Sequence, residues 1–266
     1  MEGLREQVRA AADRLAGRLA AVLDRDGRAD LVTEFANPLP LLVIGDLLGV
    51  PEADRGPFSS AVSTMFAPEH PGQVAEAVER IHRFLLGLVA ARRAEPGDDL
   101  LSALIAARDE GDRPGEDELV SLAFLILMAG SENTQHLISG GLLTLFGHPA
   151  QLAEVRADPS LLPDAVEELL RYAHPNQMAI RRFPTEPVDI GGVRIPPGDT
   201  VLLCLGAALA RTEIRIALDT LLRRFPRLAL AVPRDGLRWR ASFRSHALRE
   251  LPVTDRQPRA PARPGR

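Results

Sequence analysis

Residues 199–213, DTVLLCLGAALARTE, decide how this chain is read. They hold its one cysteine, Cys204, where a strand-like run, Val201-Leu202-Leu203, meets a helix-like run with nothing between them. A thiolate beside a helix N-terminus is favoured by the helix dipole and by free backbone N–H groups, so Cys204 is a candidate metal ligand. A lone cysteine is also often a small core residue, and the stretch by itself leaves both readings open.

Outward from this junction the chain is mostly helical. Residues 4–24 put Leu4, Val8, Ala11, Leu15, Leu19, Val22 and Leu23 on one helical face, and Asp26-Gly27 stops that helix. PLPLLVIGDLLGV, residues 38–50, reads as a short buried helix opened by prolines. Residues 51–66 and 73–94 read as two more, and 98–109 as another capped by Asp98 or Asp99. Glu116 to Phe146 reads as one long helix. Its middle, LAFLILMAG, is apolar all round, as expected where a helix crosses the centre of a large fold. Pro149 and Pro163 mark two helix starts. After Pro175 the texture turns to β, with Gly191-Gly192 and Pro196-Pro197-Gly198 as turns. Helix returns over Ala207 to Arg224, closed by Pro226, and short strands are expected through LPV at 251–253. The expected class is mainly α with a small β region, one domain over residues 1–253, and a disordered Pro/Arg-rich tail over 254–266.

Composition bounds the function. The 266 residues are 45% hydrophobic and 26% charged, ordinary for a globular chain with a real core. The net charge of -4 argues against nucleic acid as a partner, although all 32 basic residues are Arg. One cysteine excludes an internal disulfide and suits a cytoplasmic location. The N-terminus is charged and amphipathic, unlike a signal peptide, and the longest apolar run is too short to span a bilayer.

Two further clusters carry possible chemistry. In AGSENT, residues 129–134, small residues in mid-helix let something flat approach the backbone. Ser131, Asn133 and Thr134 can bond back to the preceding turn and distort it, and Glu132 is an ionisable group in an apolar helix. The plainer reading is a helix kink with an exposed Glu132. In EELLRY, Glu168 and Arg171 stand three apart and can pair, as they also would on an ordinary solvated face. The six histidines show no metal-ligand spacing.

Taken in order, DLVTEFANPLPLLVIGDLLGVP, DDLLSALIAARDEGD, AGSENT, AVEELLRY, DIGGVRIPPGDTVLL, CLGAALARTE and LRWRASFRSHALRELPV resemble the cytochrome P450 family, in its soluble bacterial form. The resemblance implies the P450 helical fold and haem b with a cysteine thiolate on the iron. It makes Cys204 that ligand, with Leu205 and Gly206 offering N–H groups near the sulfur. Ala129 and Gly130 would lie over the distal haem face, their small size leaving room for dioxygen. Glu132 would deliver protons. Arg182 would pair a haem propionate, and Glu168 with Arg171 would form the family's structural ion pair. The implied activity inserts one atom of dioxygen into a hydrophobic small molecule, with electrons from a ferredoxin that Arg211 and Arg215 could help dock.

The sequence departs from the family pattern in three ways. It begins at what resembles the family's fourth main helix, which would leave the helix around Met128 without its usual cover. The meander and glycine-rich cysteine loop that the family places between TVLL and CLG are missing, and Leu203 runs straight into Cys204. Asn133 stands where the family usually has a dioxygen-bonding Thr. The fold is therefore expected to be incomplete. A second reading follows: a haem-free, catalytically inactive remnant, acting as a partner protein or a non-functional product.

Overall fold

The structure is a computed structural model that describes residues 2–66, 68, 70, 72–109, 116–175, 182–201, 211–240 and 246–255. Within these, the helices are α1 (Glu2–Asp26), α2 (Pro38–Leu47), α3 (Arg55–Phe66), α4 (Gly72–Ala94), α5 (Leu100–Asp109), α6 (Glu116–Gly147), α7 (Pro149–Ala157), α8 (Leu162–Tyr172) and α9 (Arg211–Arg224). The strands are β1 (Ala29–Asp30), β2 (Val188–Ile190), β3 (Val193–Ile195), β4 (Ala229–Leu230) and β5 (Pro252–Thr254).

Local chemistry sets most of these boundaries. The apolar stripe expected in α1 is the buried one: Val8, Ala11, Leu15, Leu19 and Leu23 are all in the core. Asp99 is the cap of α5, because its Oδ1 accepts the Ser102 N–H at 2.8 Å and so satisfies one of the free donors of the first turn. Prolines open α2 and α7, where their missing N–H costs nothing. A π-helical turn, Val32–Ala36, which the sequence did not signal, precedes α2 and buries Phe35 and Ala36.

β2 and β3 form an antiparallel hairpin with Val188 opposite Ile195. Its turn needs positive φ at both central residues, and Gly191 and Gly192 have φ of 59° and 82°. The next turn closes with the Asp199 N–H on the Pro196 carbonyl at 3.3 Å. β5 runs between β1 and β4, with Val253 opposite both Ala29 and Leu230. This packing passes the expected boundary at 253: Thr254 pairs with Ala229, and Asp255 Oδ1 accepts the Arg227 N–H at 3.0 Å. Residues 256–266 lie outside the described set.

α6, about 48 Å long at 1.5 Å per residue, joins two separate apolar cores. Its first half, with Leu119, Val120, Ala123 and Leu127, closes a core made with α2, α3, α4 and α5. Its second half, with Leu137, Ile138, Leu142 and Leu143, closes a core made with α1, α8, α9 and β5. α1 packs on α2, α2 on α6, α6 on α9 and α9 on α1, a closed ring of four helices. The middle of α6 is not covered all round as its composition suggested, since Leu125 is 61% exposed and Leu122 is exposed as well.

Candidate functional site

Between the two cores, the middle of α6 carries a run of small and polar side chains. Ser131, Thr134, Gln135, His136 and Ser139 are all buried there. Ser131 Oγ donates to the Leu127 carbonyl at 2.7 Å, the back-bond expected from the sequence, yet α6 continues as α-helix through it. A cavity of about 410 Å³ opens along this turn. Ala129, Gly130, Asn133 and Thr134 of α6 line it, with Leu125, Ile126 and Leu137 of the same helix. Ile44 and Leu47 of α2 and Leu170 of α8 face them, with His174 and Pro175 beyond the end of α8 and Glu213 from the first turn of α9.

The small size of Gly130 has a packing consequence. A Cβ added there would come within 2.9 Å of Ile44 Cγ1 and closer still to its Cδ1. The missing side chain lets α2 approach α6, so Gly130 both lines the cavity and seats the neighbouring helix.

Glu132 is not among the residues lining the cavity, and the plain reading of an exposed carboxylate fails, since its side chain is only 14% exposed. Its Oε1 lies 3.9 Å from Nε2 of His136, one turn further along α6. His136 is buried, and neither ring nitrogen has a hydrogen-bond partner. Burial, helped by the nearby Arg240 guanidinium, pushes its pKa down to about 3, so the ring is neutral near pH 7. Burial also lowers the Arg240 pKa, with Glu132 pulling the other way and Arg249 adding to the depression. Arg240 is held in a C-terminal ladder, where its N–H donates to Ala247 at 2.8 Å and Trp239 pairs with Leu248.

Glu213 is a functional candidate that no sequence motif singles out. It lies inside the quoted CLGAALARTE, but nothing in its local sequence marks it as buried. Its Oε2 is sealed from solvent without a hydrogen-bond partner, and burial pushes its pKa up to about 8. Such a carboxyl is an acid rather than a carboxylate near pH 7.

The remaining candidates are spread out. Arg182 is exposed and pairs with Val201, each N–H donating to the other's carbonyl at 2.9 Å. Cys204, Leu205 and Gly206 lie outside the described residues. Glu168 and Arg171 do pair, with Arg171 Nε on Oε2 at 2.7 Å and Nη2 on Oε1 at 2.6 Å. The pair stands in solvent, with Arg171 69% and Glu168 58% exposed. Arg211 donates to Glu167, with Nη2 on Oε2 at 2.8 Å, beside a shallow hollow that Arg5 and Arg215 also line. Among the described residues there is no cluster of three metal-ligating side chains, and no helix is long and apolar enough to cross a membrane.

The sequence profile of the family described as Cytochrome P450 matches residues 55–205, ending just past Cys204. Cytochrome P450 107B1 of Saccharopolyspora erythraea is 39% identical over 289 residues, taking in 95% of this chain and 70% of the relative. That span exceeds the 266 residues of this chain, so the relative carries positions inside the match that this chain lacks. Cytochrome P450 monooxygenase PikC of Streptomyces venezuelae is also 39% identical, over 99% of this chain and 72% of its own length. Among solved structures, the cytochrome P450 MoxA of Nonomuraea recticatena superposes with a TM-score of 0.89 at 34% identity, over 97% of this chain and 73% of MoxA. With its helical ring, its seam along α6 and these matches, the chain belongs to the cytochrome P450 family.

Proposed function

We propose that this chain is a haem-thiolate monooxygenase that inserts one atom of dioxygen into a C–H bond or alkene of a hydrophobic small molecule, with electrons from a ferredoxin. One observation carries the reading: a largely apolar cavity lies along the small-residue turn of α6, bounded by both α8 and α9. Its wall fits a flat apolar group, with Leu, Ile and Ala side chains and few polar ones. When bound, haem b supplies dioxygen activation at a thiolate-ligated iron.

Cys204 would hold the iron, with Leu205 and Gly206 giving N–H groups to the sulfur. Arg182 would hold a propionate. Ala129 and Gly130 would form the wall over the group. Asn133 would donate its amide N–H into the cavity it lines. Glu132 would exchange protons from behind that wall, beside His136 and Arg240. Arg5, Arg211 and Arg215 would meet the acidic surface of the ferredoxin, with Arg211 shared with Glu167. The reading includes a cytoplasmic location.

A second reading, a haem-free scaffold, is favoured by the solvent-exposed Glu168–Arg171 pair and by the positions present in the relatives but absent here. The absorption spectrum of the purified protein, reduced with dithionite and exposed to carbon monoxide, separates the two. A strongly red-shifted Soret band that disappears in Cys204→Ser is the expected result. No haem band, even after reconstitution with hemin, would overturn the oxygenase reading for this chain.

A further inference from the structure

Away from the α6 cavity, the C-terminal end of α6 meets α7 and α8 around a groove of about 330 Å³. Its floor is hydrocarbon, from the buried Leu145, Val155 and Leu169. Tyr172 stands at its edge, 61% exposed, with the His148 ring edge-on to it at 6.2 Å. The rest of the edge is acidic: Glu154, Asp164 and Glu168 line it, and no arginine is among the described residues that do. Glu168 is occupied by Arg171. Glu154 and Asp164 are exposed, and among the described residues neither has an ion-pair partner.

The chain itself holds a segment of matching chemistry. Residues 256–266, RQPRAPARPGR, carry four arginines and no acidic side chain. Pro258, Pro261 and Pro264 recur every three residues, the repeat that sets prolines along one edge of a polyproline II helix. Aromatic-lined grooves accept such an edge, because the helix is stiff before it binds and little order is lost. On the same three-residue repeat the arginines fall on the other two edges, free to meet carboxylates. Position agrees with chemistry. Asp255 Oδ1 accepts the Arg227 N–H at 3.0 Å, and the carbonyl of the next residue, Leu228, accepts Arg156 Nη2 of α7 at 3.1 Å. The segment therefore starts beside the helix that carries Glu154 and Val155. At about 3.1 Å per residue it can reach about 34 Å, against about 13 Å for the whole of α7. Tethering gives it an effective concentration on the order of millimolar, enough to fill the groove through a weak contact.

We propose that residues 256–266 of this chain dock in the groove between α6, α7 and α8, the proline edge against Tyr172 and His148 and the arginines on Glu154 and Asp164. The contact uses no iron and no residue of the α6 cavity, so it stands or falls separately from the haem reading.

Tyr172 is the one tyrosine of the chain, so labelling with 3-fluorotyrosine puts a single fluorine NMR reporter in the groove. Two variants of the full chain test the contact: Pro258→Ala, Pro261→Ala and Pro264→Ala together, and Arg259→Gln with Arg263→Gln. Both change residues beyond β5 and leave the body of the fold as it is. Each is expected to shift the Tyr172 signal to the same new position, and the free peptide RQPRAPARPGR at millimolar concentration to return it to that of the parent. A Tyr172 signal that either variant leaves in place, or that ignores the peptide, would overturn the proposal. A parent signal that moves on dilution would overturn it too, since the segment of a second copy would then fill the groove.

Discussion

Gly130→Ala sets two known effects against each other at one atom. In an exposed helix the change would stabilise by about 1 kcal/mol, because Gly has the higher conformational entropy to lose. Here the new methyl would meet Ile44, whose Cγ1 lies 2.9 Å from the ideal Cβ position and whose Cδ1 is nearer. Ile44 is buried against α6, and to clear the methyl its Cδ1 must leave that contact and turn into the cavity that both residues line. Overpacking of this kind costs about 1–3 kcal/mol, so the net expectation is a loss of up to about 2 kcal/mol.

The partner change makes the argument specific. Ile44→Ala alone should cost about 2–5 kcal/mol through lost burial and the cavity left behind. In that background the Gly130 methyl has room, and Gly130→Ala should be neutral or stabilising by about 1 kcal/mol. The double-mutant cycle, read from urea unfolding of the four proteins, should therefore show a coupling of about 1–3 kcal/mol. If Gly130→Ala stabilises the parent chain by the full helix-propensity increment and the cycle shows no coupling, α2 does not rest on this glycine. Its smallness would then have to be explained from the cavity side alone.

Three other outcomes follow from the buried and exposed charges. Glu213 has its folded pKa raised to about 8 from 4.5, so the folded state holds a proton that the unfolded state releases. Its contribution is present below about pH 4.5 and lost as pH rises to about 8; Glu213→Gln should remove that fall and be more stable than the parent at pH 8 by a few kcal/mol. A parallel pair of stability–pH curves would refute this. His136 runs the other way: its folded pKa near 3 lies below its unfolded 6.5, so stability drops as pH falls between them. His136→Leu, which removes two unsatisfied buried nitrogens at similar volume, should flatten the acid limb and leave stability at pH 7 unchanged or improved. Glu168→Gln should leave the melting temperature of this chain unchanged within error, because its partner Arg171 is in open solvent. A clear drop would mean that something covers the pair.

What the sequence disclosed and what it hid divide along a physical line. Local rules found the α1 face, the α5 cap to within Asp98 or Asp99, the Gly191-Gly192 turn and the length of α6, because each depends on neighbours within a few residues. The ordered motifs then located the family. The i, i+4 spacing of Glu132 and His136 is a local signal, but the burial of the pair is not, since it depends on the C-terminal ladder bringing Arg240 alongside α6. The burial of Glu213 is equally non-local, set by α2, α6 and α8 converging on the first turn of α9. The exposure of Glu168 and Arg171 depends on what lies over α8, which their own helix does not encode.

The position of the cavity follows from the division of the core. A helix that serves one continuous core can be apolar along a single stripe. α6 serves two, and at the seam its stripe gives way to Ala129, Gly130 and a run of buried polar residues. Small side chains there leave volume, and polar ones need partners. Ser131 and Ser139 find theirs in carbonyls of their own helix, at 2.7 and 3.1 Å. His136, behind the cavity wall, and Glu213, on it, keep buried polar atoms without one. Native folds leave few buried polar atoms unsatisfied, so two titratable side chains doing so near one seam agree with the proposal that a bound group completes it.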